Sequence, residues 1–183
     1  GVSVIITCYN LGQYLYECVE SVLEQTWGVK DIIIVDDGST DANTLRVLNR
    51  VKVLEKDGLK PQVVHTENQG LSMARNTGVE YASGNYIFFL DCDDTIEDTF
   101  IEKGLTALER HPELGFVSCF AQLFGESEDL FISLPLTMPK GLRDNSLCSC
   151  VGVMRKDAFE ATSGFNPDMC YTAEDWDFWI SLL

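Results

Sequence analysis

Asp91, Cys92, Asp93 and Asp94 form a dense acidic run directly after the apolar stretch Phe88-Phe89-Leu90. Asp91 and Asp93 are two residues apart, so at the end of a strand their carboxylates can point the same way. With Asp94 they make a cluster of hard oxygen donors, the chemistry that suits Mg²⁺ or Mn²⁺ held in part through a substrate's phosphates. Residues 91–102 hold six acids and no base. Without a cation such a cluster repels itself and pushes carboxylate pKa values upward. Glu97 and Asp98 have a simpler reading, because acids are favoured in a first helical turn.

Two further polar clusters also follow apolar runs, Thr7-Cys8-Tyr9-Asn10 and Asp36-Asp37-Gly38-Ser39. The first lacks the G-x-G-x-x-G of a dinucleotide fold and the G-x-x-x-x-G-K of a P-loop, which removes both phosphate cradles. The second reads equally as a glycine turn with a helix cap and as a ligand site. Tyr9 fits either a core position or a stacking platform for a base. Asn68-Gln69-Gly70 reads as a turn before a helix. Arg75 is the only Lys or Arg between Lys60 and Lys103. Its isolated guanidinium can pair with carboxylates or hold a diphosphate. His65 and His111 fall in no recognisable pattern and are assigned to strand and surface roles. Near the end, Ala173-Glu174-Asp175-Trp176-Asp177-Phe178-Trp179 places acids at a helix start, where the dipole favours them. A carboxylate walled by indoles there is also a candidate general base, while Trp176 and Trp179 read as packing.

The elements that must carry these groups alternate. Strands are expected at Val2–Ile6, Ile32–Val35, Val63–Val64 and Tyr86–Leu90, and helices from Leu11 to about Thr26, after Ser39-Thr40-Asp41, over Leu71–Ala82 and through Phe100–Leu108. This βαβα order predicts an α/β fold, a Rossmann-like, mostly parallel sheet with helices on both faces. Three polar clusters then lie at the carboxyl ends of strands, where open parallel sheets bind ligands. After Leu114 the pattern loosens. It suggests a strand near Phe116–Phe120, a proline-containing loop around Leu134–Lys140, a strand near Cys148–Met154, a short helix around Lys156–Thr162 and a last helix from Ala173.

The 183 residues suit one domain. With 29 Asp+Glu against 13 Lys+Arg, the net charge is −16. A surface this acidic repels phosphate backbones and anionic membranes, so no nucleic-acid partner is expected. No apolar run reaches bilayer length. The chain opens on an apolar strand without an initiator Met and stops within a helical pattern, so it is expected to be an excised domain, any membrane association coming through segments outside it. Seven scattered cysteines do not form a disulfide framework. Cys148-x-Cys150 with Cys170 has the wrong spacing for a zinc knuckle, so buried free thiols in a reducing compartment are expected.

Taken in order, these motifs resemble the family 2 glycosyltransferases, an inverting group with the GT-A fold. The resemblance rests on Val2–Asn10, Ser21–Thr26, Ile34–Asp41, Asn68–Gly78, the D-x-D of Asp91-Cys92-Asp93, and Gly164-Phe165 with Glu174-Asp175-Trp176-Asp177. It covers essentially the whole chain. D-x-D alone is weak, but the ordered set is specific. It implies a single GT-A catalytic domain over 1–183, with a nucleotide-binding half at 1–95 and an acceptor-side half at 96–183, truncated at its C-terminus. It implies transfer from a nucleotide-diphosphate sugar, a UDP-sugar first, to a carbohydrate or lipid-linked acceptor, in the cytoplasm or at the inner membrane face of a bacterium making polysaccharide. Thr7 and Tyr9 would lie against the base and Asp37 would accept from the pyrimidine N–H. Asp91 would approach the ribose and sugar, Arg75 the sugar or diphosphate, Asp93 would ligate the metal, and Asp175, with Glu174 beside it, would be the catalytic base.

Two rivals follow from the same residues. Asp91-Cys92-Asp93-Asp94-Thr95 fits the D-x-D-x-T of haloacid-dehalogenase phosphatases, with Asp91 as nucleophile, although that motif belongs on a first strand. A non-catalytic module that binds a sugar nucleotide is the other.

Overall fold

The computed structural model describes residues 1–133, 152–169 and 173–182. The expected loop at 134–140, the first part of the strand expected at 148–154, and Cys148, Cys150 and Cys170 lie outside the described residues. The elements run β1 (Val2–Cys8), α1 (Gly12–Leu23), β2 (Val29–Asp36), α2 (Ala42–Val51), β3 (Pro61–His65), α3 (Leu71–Tyr81), β4 (Tyr86–Asp91) and α4 (Phe100–Arg110). They continue as β5 (Phe116–Ser118), β6 (Ala121–Gln122), β7 (Leu130–Phe131), β8 (Gly152–Arg155), α5 (Lys156–Glu160) and α6 (Glu174–Ser181).

Six strands form one sheet in the order β3-β2-β1-β4-β8-β5. β1 to β4 are mutually parallel, whereas β8 runs antiparallel to both β4 and β5. β1 is buried at every residue, as a strand covered on both faces must be. One face packs beneath α1, α2 and α4 around Ile6, Leu15, Leu48, Phe88 and Leu105. The other packs beneath α3, α5 and α6 around Ile5, Phe89, Phe159, Phe165 and Trp179. The mostly parallel, two-faced sheet expected from the periodicity is therefore present.

Differences lie at element ends. β1, β2 and β4 each run past their apolar cores, so Thr7, Cys8, Asp36 and Asp91 are strand residues rather than loop residues. Ladder pairing carries the backbone on: Cys8 pairs with Asp36 and Thr7 with Asp91. The strand expected at 116–120 stops at Ser118, and β6 beyond it pairs with β7 in a separate ribbon. α1 stops at Leu23, where Gln25 instead crosses to Glu97 and Ile101.

The chain builds β2 and β3 on one side of β1, then returns to lay β4 on the other. The carboxyl ends of β1 and β4 therefore flank a topological switch point, where open sheets form clefts. Two glycines permit close helix approach. A Cβ on Gly78 would collide with Ile5 beneath α3, and one on Gly12 would collide with the backbone of Thr44 in α2. Gly12 N–H donates to Thr44 Oγ1 at 2.8 Å, which locks α1 onto α2. Gly12→Ala should lower unfolding free energy by about 1–3 kcal/mol through overpacking, read as a reduced urea midpoint.

Candidate functional site

A cavity of about 390 Å³ opens at the β1/β4 switch point, and Thr7, Tyr9, Asp37, Asp91 and Asp93 all line it. Arg75 and Asp175 are not in its wall. Residues without an assigned role complete it, including Asn68, Gly70, Leu71, Ala74 and Cys92.

Bonded to the wall residue Asp91 is Arg75, which α3 presents with only 1% exposure. Nη2 donates to Asp91 Oδ1 at 3.1 Å, and Nη1 donates to Glu174 Oε1 at 3.0 Å. Of the two uses open to this guanidinium, carboxylate pairing is what the structure contains. Its ring neighbour is Phe165, 5.2 Å away, a cation–π distance. Phe165 is itself held by the next residue of α3. Asn76 Nδ2 donates to Phe165 O at 2.8 Å, and Phe165 N–H donates to Asn76 Oδ1 at 2.9 Å. Gly164, at φ 72°, permits that turn. The Arg75-Asn76 and Gly164-Phe165 motifs, far apart in sequence, are thus one packing unit.

Asp91 also accepts from Thr7 Oγ1 at 3.3 Å, tying β1 to β4 at the rim. Asp93 projects exposed beyond it. Asp94 is more enclosed: burial, then the charges of Asp91 and Asp93, push its carboxyl up to about 6. The rise expected of an acidic cluster without a cation falls on this residue. Among the described residues no three His, Cys, Asp or Glu side chains converge as a cage. The donors present, one or two carboxylates at an open rim, fit a hard divalent cation that takes its remaining oxygens from a ligand.

Asp37 is buried and already engaged. Its carboxylate accepts from Gln69 N–H and Gly70 N–H, each at 2.9 Å, and from Thr66 Oγ1 at 3.3 Å. It thereby anchors the turn that starts α3, where Gly70 has φ 89°. Each carboxylate oxygen has two lone-pair sites, so capacity remains toward the cavity. Asp36 is structural: Oδ1 accepts from Ser39 N–H at 3.0 Å, and Oδ2 lies 2.8 Å from His65 Nδ1. His65 therefore has a partner that its sequence context did not reveal, and His111 likewise meets Glu113. Asn10, at φ 54°, accepts from Thr40 N–H and Asp41 N–H, fixing the loop from which Tyr9 projects at 46% exposure. Tyr9 is therefore not a core residue.

Asp175 lies in the first turn of α6, whose preceding residue Ala173 is left-handed. Its Oδ1 accepts from Trp176 N–H at 2.7 Å. Trp179 is buried and stacks on Phe116, the packing role expected of it. Glu174, one residue before Asp175, reaches Asp91 at the end of β4 through Arg75. Nothing in its own spacing signalled this; the signal was Arg75, a buried cation needing more than one anion. Asp91 ends the fourth strand and Asp93 follows it, rather than the first, which departs from the phosphatase pattern.

Three thiols gather behind the rim. Cys8, Cys18 and Cys92 are free and buried, and Cys119 is free and half-buried. Cys18 Sγ donates to Asp91 O at 3.7 Å, and burial pushes its thiol well above the ordinary value. Cys8 is held below the ordinary value by hydrogen bonds from the Cys92 thiol and the Leu11 N–H.

The sequence profile described as "Glycosyl transferase family 2" matches residues 3–158. The putative teichuronic acid biosynthesis glycosyltransferase TuaG of Bacillus subtilis is 36% identical over 188 residues, covering 100% of this chain and 71% of that protein. An uncharacterized glycosyltransferase of Escherichia coli, YibD, is 38% identical over 135 residues, covering 73% of this chain but 38% of that protein. The chain thus spans well under half of some relatives. The crystal structure of S. aureus TarS 1–349 in complex with UDP superposes with a TM-score of 0.75 at 22% identity, over 99% of this chain and 54% of that one. That likeness concerns the fold, which is of the GT-A type.

Two outcomes follow from the charges. Arg75→Met should cost about 3–5 kcal/mol of stability by leaving carboxylates uncompensated, measured by urea denaturation. Asp94 has a folded pKa of about 6 against 3.8 ordinarily, so between those values the folded state holds the extra proton. Stability should accordingly fall as pH rises from 4 to 6, and Asp94→Asn should flatten that fall.

Proposed function

The chain belongs to glycosyl transferase family 2, and from that membership we propose that it transfers a sugar from a nucleotide-diphosphate sugar, a UDP-sugar first, to a hydroxyl of a carbohydrate or lipid-linked acceptor, with inversion. The observation that carries this reading is the convergence of Thr7, Tyr9, Asp37, Asp91 and Asp93 on one cavity at the switch point. Relatives support the donor class: TarS has been crystallised with UDP and with UDP-GlcNAc, and a Pyrobaculum calidifontis mannosyltransferase with GDP-Man and Mn²⁺.

In this reading residues 1–95 bind the donor and 96–183 face the acceptor. Tyr9 offers its ring to the base, beside Thr7, and the spare lone pair of Asp37 Oδ2 accepts the pyrimidine N–H. Asp91 hydrogen-bonds ribose and sugar hydroxyls, held in orientation by Arg75 and Thr7. Arg75, paired with two carboxylates, serves the donor through Asp91 rather than by grasping phosphate. Asp93, with Asp91 behind it, would hold Mg²⁺ or Mn²⁺, and the bound cation supplies charge neutralisation to the departing nucleoside diphosphate. The need for it follows from charge: the donor is an anion entering an acidic rim.

Asp175 removes the acceptor hydroxyl's proton as the oxygen attacks the anomeric carbon from the face opposite the leaving group. One carboxylate suffices because the leaving group departs as a diphosphate and needs no proton from a second acid. Holding both substrates together supplies the proximity term. The thiols Cys8, Cys18, Cys92 and Cys119 are free, which supports a reducing, cytoplasmic setting.

Calorimetry with UDP should show binding in the presence of Mn²⁺, and Asp93→Ala should weaken it at least tenfold. Asp175→Asn should retain UDP affinity while abolishing sugar transfer. Absence of cation-dependent UDP binding would sink the donor assignment, and binding without any transfer would leave a non-catalytic module.

A further inference from the structure

We propose that Glu174 is a positioning residue: through Arg75 it couples occupancy of the donor cavity at Asp91 to the first turn of α6, and so to the alignment of Asp175. The coupling rests on the donor reading above; the ion-paired group of three that carries it does not.

The two halves of α6 are held by different physics. In its second half Phe178 and Trp179 are buried. Phe178 stacks on Phe165 at 4.3 Å between ring centroids, and Trp179 stacks on Phe116 at 4.7 Å. Apolar packing of this kind is indifferent to the charge that enters the cavity. The first turn is different, because it carries the acids Glu174, Asp175 and Asp177. Ala173, the residue before it, is left-handed and has no side chain to cap the turn. Helix ends open locally at low cost. Two contacts oppose that opening here. Asp177 N–H donates to Ala173 O at 2.9 Å, and Glu174 Oε1 accepts from Arg75 Nη1 at 3.0 Å.

Arg75 divides one positive charge between two anions. Its Nη2 reaches both oxygens of Asp91, at 3.1 and 3.4 Å, while Nη1 serves Glu174. Phe165, 5.2 Å from the guanidinium and stacked on Phe178, keeps the group seated between them. Burial makes each of these attractions stronger than it would be in water. The two anions differ in what else can reach them. Asp91 lines the cavity and its side chain is 33% exposed, whereas Glu174 is more enclosed and is not in the cavity wall.

A ligand therefore meets only one of the two partners. Sugar or ribose hydroxyls that donate to Asp91, and positive charge placed at the rim, draw on the carboxylate that Arg75 also uses. The guanidinium then rests more heavily on Glu174. The first turn of α6 tightens, with Asp175 the next residue along it. Emptying the cavity returns Asp91 to Arg75 and relaxes the turn. The element with two arrangements is the first turn itself, open or closed, and both the cavity and Glu174 bias it through one side chain.

The test follows amide hydrogen exchange by mass spectrometry in a peptide spanning 174–182, with and without UDP and Mn²⁺ at a saturation set by calorimetry. Exchange in α6 should slow at least about fivefold on binding. Glu174→Gln, which keeps the shape but removes the charge, should erase that difference. Arg75→Lys, which keeps a cation but loses the fork, should erase it too, so the measurement survives if one variant fails to fold. Ile180→Ala, in the last turn of α6, should speed exchange in both states and leave their ratio intact, as loosened packing does. Unchanged α6 exchange in the UDP-bound wild-type protein, a slowing that persists in Glu174→Gln, or a ratio lost equally in Ile180→Ala would each overturn the proposal. A wild-type protein that shows no UDP binding by calorimetry would instead overturn the donor reading.

Discussion

Burying Arg75 sacrifices the hydration of a full charge, which is repaid only by well-placed anions. The chain supplies them from two distant places, Asp91 at the end of β4 and Glu174 at the head of α6. That three-membered arrangement joins what sequence order separates: the strand that ends in the acidic rim and the helix that carries Asp175. Phe165 closes the guanidinium's face and is clamped by Asn76. Adjacent residues of α3 therefore hold the charge pair and the ring that covers it. The rest of the site depends on this post, which ties the end of β4 and the start of α6 to one buried cation.

Acidity, read first as a property of the whole surface, has a local meaning in this frame. One guanidinium cannot neutralise Asp91, Glu174, Asp93 and Asp94 together, and the surplus is felt by Asp94, whose proton persists to about pH 6. An anionic donor meets the same surplus. A hard cation at the rim resolves both, and the open, partly liganded geometry of Asp93 is what such a cation needs when its other oxygens come with the substrate.

Much of this was legible in the sequence because the central strands are continuous β-branched or aromatic runs, and the helices carry clear apolar stripes. The parallel order, the two covered faces and the placing of the polar clusters at strand ends all followed from that periodicity. What escaped it was specific. Periodicity marked only the apolar core of each strand, so the terminal ladder residues Thr7, Asp36 and Asp91 read as loop. His65 showed no motif, yet ladder pairing of β2 and β3 sets it against Asp36. Arg75 was recognised as isolated in charge, but whether it faced carboxylates or a ligand depends on Glu174, 99 residues away. Asp37, a turn residue by local reading and a ligand by resemblance, is engaged in the first role and retains one lone pair for the second. Tertiary pairing, not local preference, decided each of these.

The most direct test is a crystal structure of the chain grown with UDP and Mn²⁺. Uridine should lie in the β1/β4 cavity against Tyr9, with Asp37 on the ring N–H, the cation bridging Asp93 and the diphosphate, and Arg75 still between Asp91 and Glu174. A nucleotide bound elsewhere, or one whose phosphates displace Asp91 or Glu174 from Arg75, would contradict it.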